Sequence, residues 1–209
     1  MALARTSHFG VGASEYAGSA ERASVDTVQC GVYTRTALDE VGWFNPEMNY
    51  GEDEEVNWRL REAGYEILLD GRMRFHYFTR PTWRAAYRQY RNYGEARVRV
   101  VREHPRFLRP HHLAPAAMVA AAGALVLAAP VSKHARMALA ACTGAYAATA
   151  AGAAASAARG HESSLAVPVA ACFAALHLGY GVGTLRGFAR MVACGGRSDR
   201  NGPLSSEAS

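Results

Sequence analysis

Between Arg109 and Arg186 the chain carries almost no charge, and this limits its folds more than any single motif does. Three stretches there hold no Asp, Glu, Lys or Arg at all: Leu113–Ser132, Met137–Ala158 and Ser163–Leu185. The few charges of the block, such as Lys133, Arg136, Arg159 and Glu162, fall between them. A soluble helix needs a polar face, and these stretches have almost none. Each is long enough to cross a bilayer, which takes about 20 residues. The middle one is nearly all Ala, Gly, Ser and Thr, so it is the weakest span and needs small-residue packing against its neighbours. A buried helical bundle in water is the alternative for all three.

The rest of the chain is polar. The sequence has 23 Lys and Arg against 18 Asp and Glu, a formal net charge of +5, and the excess is concentrated from Arg72 to Arg109. A basic stretch beside apolar spans favours anionic headgroups or phosphate ligands. No nucleic-acid motif is present, so a nucleic-acid partner is not expected. The charges before the first span (Arg97, Arg99, Arg102, Arg106 and Arg109) place that end in the cytoplasm. Three crossings would then leave Arg186, Arg190, Arg197 and Arg200 outside, against the positive-inside tendency. Two to three spans are therefore expected. The four cysteines (Cys30, Cys142, Cys172 and Cys194) form no CxxC pair, which argues against a zinc site or a disulfide framework. The segment MALARTSHFGVG has no apolar core of signal-peptide length.

The polar part alternates short elements. Val25–Tyr33 has strand composition. Thr36–Val41 is a short helix, with Thr34 or Thr36 as its cap and Gly42 at its end. Glu52–Ala63 is the clearest helix, with acidic residues in its first turn, Arg59 and Arg61 near its end, and Val56, Leu60 and Ala63 on one face. Gly64 stops it. Tyr65–Leu69 and Met73–Phe78 read as two strands around an Asp70-Gly71 turn. Thr82–Glu103 is a long helix that mixes Trp83, Tyr87, Tyr90 and Tyr93 with arginines, the composition of an interfacial helix. Pro105 and Pro110 end it.

The segment GEDEEVNWRLREAGY, residues 51–65, carries the chemistry. It sets a carboxylate cluster at a helix start, where backbone N–H groups stabilise an ionised carboxylate. Such a carboxylate can accept a proton from a sugar hydroxyl. A merely solvated helix start is the plain alternative, and a divalent ion held by the four carboxylates is a third. The spacing excludes an EF-hand loop.

Here the chain resembles family 2 glycosyltransferases of the GT-A fold. They have an "ED" motif, then an Arg-Leu-Arg-like run and Ala-Gly-Tyr. This sequence supplies Glu52-Asp53, Arg59-Leu60-Arg61 and Ala63-Gly64-Tyr65. Upstream, Gly31–Arg35 and then Leu38–Phe44 match the family's strand, basic turn and "xxxVGxF". His8–Gly12 and Gln89–Gly94 resemble the "HFGVG" and "QYxxYG" strings of the succinoglycan-type membrane enzymes of exopolysaccharide synthesis. The likeness covers roughly residues 8 to 112.

The resemblance implies an α/β partial GT-A domain followed by an α-helical transmembrane region. Residues 1–104 would form the C-terminal half of a glycosyltransferase domain with its interfacial helix, 105–190 the spans, and 191–209 a disordered tail. It implies an inverting transfer from a nucleotide-sugar donor to a polysaccharide or lipid-linked acceptor, with Asp53 as general base and Glu52 orienting the site. His76, Arg80, Gln89 and Arg91 stand near where relatives bind the leaving diphosphate. Gln89 lies where processive members have Gln-x-x-Arg-Trp, but no Trp follows at that spacing. Headgroup contact is the alternative for Arg80 and Arg91, and a structural role for His76. His177, within the last apolar stretch, is expected to serve helix packing. A divalent metal (Mg or Mn) is expected for the complete enzyme, with its ligands mostly in the half that carries the Asp-x-Asp motif. This sequence has no Asp-x-Asp, so that half is expected on a longer or separate chain. The implied setting is the cell membrane, multi-pass, with the polar part cytoplasmic. The alternative function is a non-catalytic membrane remnant or accessory subunit.

Overall fold

The computed structural model describes residues 1–11, 22–28, 30–73, 76 and 78–198. Most of these are helical. In chain order they form α1 (Ala2–Arg5), α2 (His8–Val11), β1 (Arg22–Ser24), α3 (Arg35–Val41), α4 (Glu52–Glu62), β2 (Leu68–Asp70), α5 (Trp83–Glu103), α6 (Pro110–Ala128), α7 (Lys133–Ala157) and α8 (Ala166–Ser198). Two short 3₁₀ turns, at Pro105–Phe107 and Ser163–Leu165, precede α6 and α8.

The helix ends follow local chemistry. Thr34 accepts a hydrogen bond from the Ala37 N–H at 3.3 Å and caps α3, and Thr82 does the same for α5 from Ala85 at 3.2 Å. Gly51 precedes α4 at φ +78° and Gly64 follows it at φ +91°, left-handed conformations that other residues resist. Between them α4 buries Val56 and Leu60, but Ala63 is exposed and the remaining buried positions are Glu55 and Asn57. Val56 and Leu60 join Leu38, Ala37, Val25 and Ile67 in a small core.

The expected strands fare less well. The sheet among the described residues is one antiparallel pair, β1 with β2, in the register Arg22 to Asp70, Ala23 to Leu69 and Ser24 to Leu68. Val25 adds one further backbone bond to the Ile67 carbonyl, and the ladder ends there. The strand expected over Val25–Tyr33 does not form among its described residues, where the Thr27 side chain and the Val28 carbonyl are tied to α4. The Asn57 amide donates to Thr27 Oγ1 at 2.8 Å and to the Val28 carbonyl at 3.4 Å. Cys30, at φ +55°, then turns the chain out of extended geometry. The Tyr65–Leu69 strand is shifted to Leu68–Asp70, and Ile67 points into the core. Met73, His76 and Phe78 are not in a strand, and residues 74, 75 and 77 of that expected element lie outside the described residues.

Three helices, α6, α7 and α8, are long and apolar enough to cross a membrane. Their 19, 25 and 33 residues correspond to about 28, 38 and 50 Å at the α-helical rise. Only Ala116 is buried in α6, and only Ala135, Ala150 and Ala154 in α7. An apolar helix with so little protein cover is suited to lipid rather than water. Residues 191–198, expected in a disordered tail, continue α8, and the rest of that tail lies outside the described residues.

α5, read from the sequence as an interfacial helix, lays its buried face along α8. Gly179, Gly183 and Gly187 recur every fourth residue on α8, one helical face. A Cβ at Gly179 would stand 2.6 Å from the Tyr87 carbonyl oxygen, one at Gly183 1.9 Å from that of Arg91, and one at Gly187 2.8 Å from Val98 Cβ. From α5 the fit is reciprocal, since a Cβ at Gly94 would stand 2.2 Å from the Tyr180 carbonyl oxygen. The contacts advance together, so the two helices run in the same direction. Arg186 and Arg190 pair with Glu95 of α5 at 3.1 and 2.7 Å. Glu95 balances one of these two positive charges and leaves the other.

Candidate functional site

The first turn of α4 places four carboxylates in sequence, and packing gives them different fates. Glu55 is buried. Arg59 holds both its oxygens, at 2.6 and 2.7 Å, and His104 Nε2 lies 2.9 Å from Oε1. Burial works to raise its pKa, but the hydrogen bonds from Arg59 and His104 prevail and hold it below the ordinary carboxylate value. The same guanidinium donates to the carbonyls of Val41, Gly42 and Trp43. The Arg of the Arg-Leu-Arg run is thus a clamp that ties α4 to the end of α3. Its partner Leu60 is core, and Arg61 pairs with Asp26 at 2.9 Å.

Glu54 is turned toward α5, where Arg97 Nη2 donates to its Oε1 at 2.8 Å. Burial nonetheless leaves the Glu54 pKa raised, with the Arg97 charge opposing. Asp53 is half-buried. Its Oδ1 accepts the Glu54 backbone N–H at 2.8 Å, the geometry expected of a carboxylate at a helix start. Its pKa is raised by burial and, to a lesser degree, by the neighbouring Glu52 charge, against the pull of that N–H and of Arg97. Tyr33 shares this environment: burial and then the Asp53 charge raise its pKa, while its hydroxyl donates to Asn57 Oδ1 at 3.0 Å. Glu52 sits half-buried beside Asp53 on the same turn. A partly desolvated carboxylate with a raised pKa and one fixed N–H donor is a stronger base than a solvated Asp.

The basic and aromatic residues expected near a leaving diphosphate lie in different settings. His76 and Arg80 are exposed, and among the described residues no hydrogen bond or ion pair joins either to Asp53. Gln89 is buried and donates to Tyr93 Oη at 2.7 Å, within α5. Arg91 is drawn against α8 by the Gly183 contact. Its Nε is buried without a hydrogen-bond partner among the described residues, and Nη2 reaches only Asn92 Oδ1, at 3.5 Å. The arginine of α5 that reaches the acidic turn among the described residues is Arg97. Nothing in the sequence separates it from the other arginines of α5. Only its burial, with a phenol and a carboxylate on either side, sets it apart.

The carboxylates do not suit a divalent ion. Glu55, Glu103 and His104 converge, but Arg59 already occupies both Glu55 oxygens, and Glu54 is neutralised by Arg97. A cleft of about 380 Å³ opens on another side of α4, lined by Glu40, Trp58, Arg59, Glu62 and His104 among others, and it does not include Asp53. His177 has the packing role expected of it. Its Nε2 donates to the Phe9 carbonyl at 2.7 Å and its Nδ1 accepts from the Tyr146 hydroxyl at 2.9 Å, which joins α2, α7 and α8. Compared with known proteins, this chain matches no family model, no curated protein and no solved structure.

Proposed function

We propose that this chain supplies the acceptor side of an inverting, membrane-anchored glycosyltransferase, with Asp53 as general base. The observation that carries the reading is the state of Asp53: half-buried, raised in pKa and fixed by the Glu54 N–H at the head of α4. It stands within the Glu-Asp, Arg-Leu-Arg and Ala-Gly-Tyr pattern. In the proposed step an acceptor hydroxyl attacks the anomeric carbon of a nucleotide sugar. Its proton passes to Asp53, the new glycosidic C–O bond forms, and the bond to the nucleoside diphosphate breaks with inversion. Glu52 orients the acceptor. The donor site belongs to a further segment or a separate chain, and no step here is routed through a metal. The apolar helices would hold the polar part at the cytoplasmic face of the cell membrane as a multi-pass protein, and the basic residues from Arg97 to Arg109 support that side.

The two three-residue strands favour a second reading, an accessory subunit without catalysis, because so small a sheet is a slight platform for a sugar nucleotide. The test is transfer of radiolabelled sugar by membranes carrying the chain together with its donor-binding partner. Asp53→Asn keeps the size and removes the base, so transfer falls at least about 100-fold. Near-normal transfer would remove Asp53 from the mechanism and leave the acidic turn as a structural helix start.

A further inference from the structure

One side chain connects the acidic turn to the apolar bundle. Arg97 rises from the middle of α5. Its Nη2 donates to Glu54 Oε1 at 2.8 Å on α4, its Nε donates to the Tyr180 hydroxyl at 3.1 Å on α8, and its guanidinium lies 5.0 Å from the ring centroid of Phe107 in the turn that leads to α6. A guanidinium suits this junction, since it is planar, always charged and able to donate in several directions at once. Its position is fixed from below as well. Gly94, one turn earlier, presses α5 onto the Tyr180 and Thr184 backbone so closely that a Cβ would not fit.

We propose that Arg97 is a positioning residue for Asp53, holding the first turn of α4 in register with α8. This rests on the reading of Asp53 as a base. Arg97 acts through Glu54, whose backbone N–H is the donor that orients Asp53. One ion pair thereby secures the residue that fixes the base. The charged and titratable groups around Asp53 are Glu52 and Glu54 on its own helix, Tyr33 with Cys30 behind it from the preceding loop, Arg97 from α5, and, on Arg97's far side, Tyr180 from α8 and His112 from α6. Arg97 is the one permanent cation in this set. Its loss leaves Asp53 among carboxyl and phenol groups and raises the pH at which it ionises.

The tie is tested in native membranes by following Asp53 directly. Carboxyl-specific labelling at a series of pH values, read by peptide mass spectrometry, gives the ionisation midpoint of Asp53 whether or not sugar is transferred. In Arg97→Gln the midpoint moves to higher pH. In Arg97→Lys, which keeps the charge, it stays near that of the wild type. In Tyr180→Phe, which frees one end of the guanidinium, it moves up by less. In parallel, Arg97→Gln lowers transfer at neutral pH by at least about tenfold, the scale of one charge-assisted hydrogen bond. That loss falls on kcat with KM little changed, and it recovers as pH rises. An unchanged midpoint in folded Arg97→Gln overturns the proposal. If that variant does not fold, an unchanged midpoint in Tyr180→Phe overturns it. A shifted midpoint where the wild type transfers no sugar keeps the tie and removes the glycosyltransferase reading. Wild-type transfer that Asp53→Asn abolishes and Arg97→Gln leaves untouched does the reverse.

Discussion

The α5–α8 seam and the α6–α7 hairpin are both made of long helices, yet they are built on opposite terms. In the seam, glycines on one helix meet backbone of the other, and a Cβ at any of Gly179, Gly183 or Gly187 would come within 3 Å of α5. In the hairpin, Gly123, Gly144 and Gly152 have nothing within 4 Å of where a Cβ would stand. The seam joins a helix full of arginines to an apolar one. The hairpin joins two apolar helices that each rest on α8, through Pro115 against Gly181 and Tyr146 against His177, without glycines at their own contact. The same residue type is a close-approach device in one place and a spare position in the other. Small residues therefore indicate helix contact only when a partner backbone is shown to be there.

The sharpest way to break this contrast is a pair of equal substitutions. Gly183→Leu drives a side chain into the Arg91 carbonyl and should prevent α5 from docking, with a cost above about 3 kcal/mol, since it exceeds ordinary overpacking. Gly152→Leu adds the same atoms where there is open space and should change little. Thermal unfolding in mild detergent, followed by protease cleavage within α5, compares the two. Equal melting for both would mean that the seam is not glycine-packed.

A smaller effect is expected at the far end of α5, where His104 meets α4 through a hydrogen bond to Glu55 rather than through glycines. There Glu55 is buried against Arg59 and His104. Glu55→Ala leaves the half-buried Arg59 without its carboxylate and should cost up to about 3 kcal/mol, the lower end for a broken buried pair. The pair also gives the fold a pH dependence. The folded Glu55 pKa lies below its ordinary value of 4.5, so its contribution is complete above that pH and is lost as pH falls through the lower, folded value. Acid unfolding of wild type and Glu55→Gln should diverge above this window and converge below it.

The smallest effect compares two caps with the same geometry. Thr82 at the head of α5 and Ser132 at the head of α7 each accept the third following N–H at 3.2 Å. Replacing either by Ala should cost about 1 kcal/mol. Amide exchange in the first turn should rise in α5 for Thr82→Ala and in α7 for Ser132→Ala, each without effect on the other helix.

Helix ends and spans were legible in the sequence because single residues encode them: Thr34, Gly64 and Thr82 act through their own backbones or nearest neighbours, and the lack of charge after Leu113 is local. The Val25–Tyr33 segment was misleading, because its composition does not show the positive φ at Cys30 or the tie of Thr27 Oγ1 and the Val28 carbonyl to Asn57, distant in sequence. The seam was hidden for a related reason. Gly179, Gly183 and Gly187 sit in a stretch that reads simply as apolar, and their spacing acquires meaning only when α5 lies opposite. The acidic turn was visible as a cluster, and so was Asp53. The separate fates of Glu54 and Glu55 depend on Arg97 and His104, which look like any other basic residues of a basic helix.

The order of synthesis follows from the seam and from the contact of His177 with Phe9. Arg97 waits for Tyr180, 83 residues later in the chain, and the Phe9 carbonyl waits for His177, 168 residues later. At roughly 5–20 residues per second the first of these delays lasts about 4–17 s. Throughout it, α5 is without the α8 partner of its buried face. That face therefore cannot complete its packing before α8 is made, and a ribosome halted before Gly179 would release a product in which Arg97 and the acidic turn lack this support.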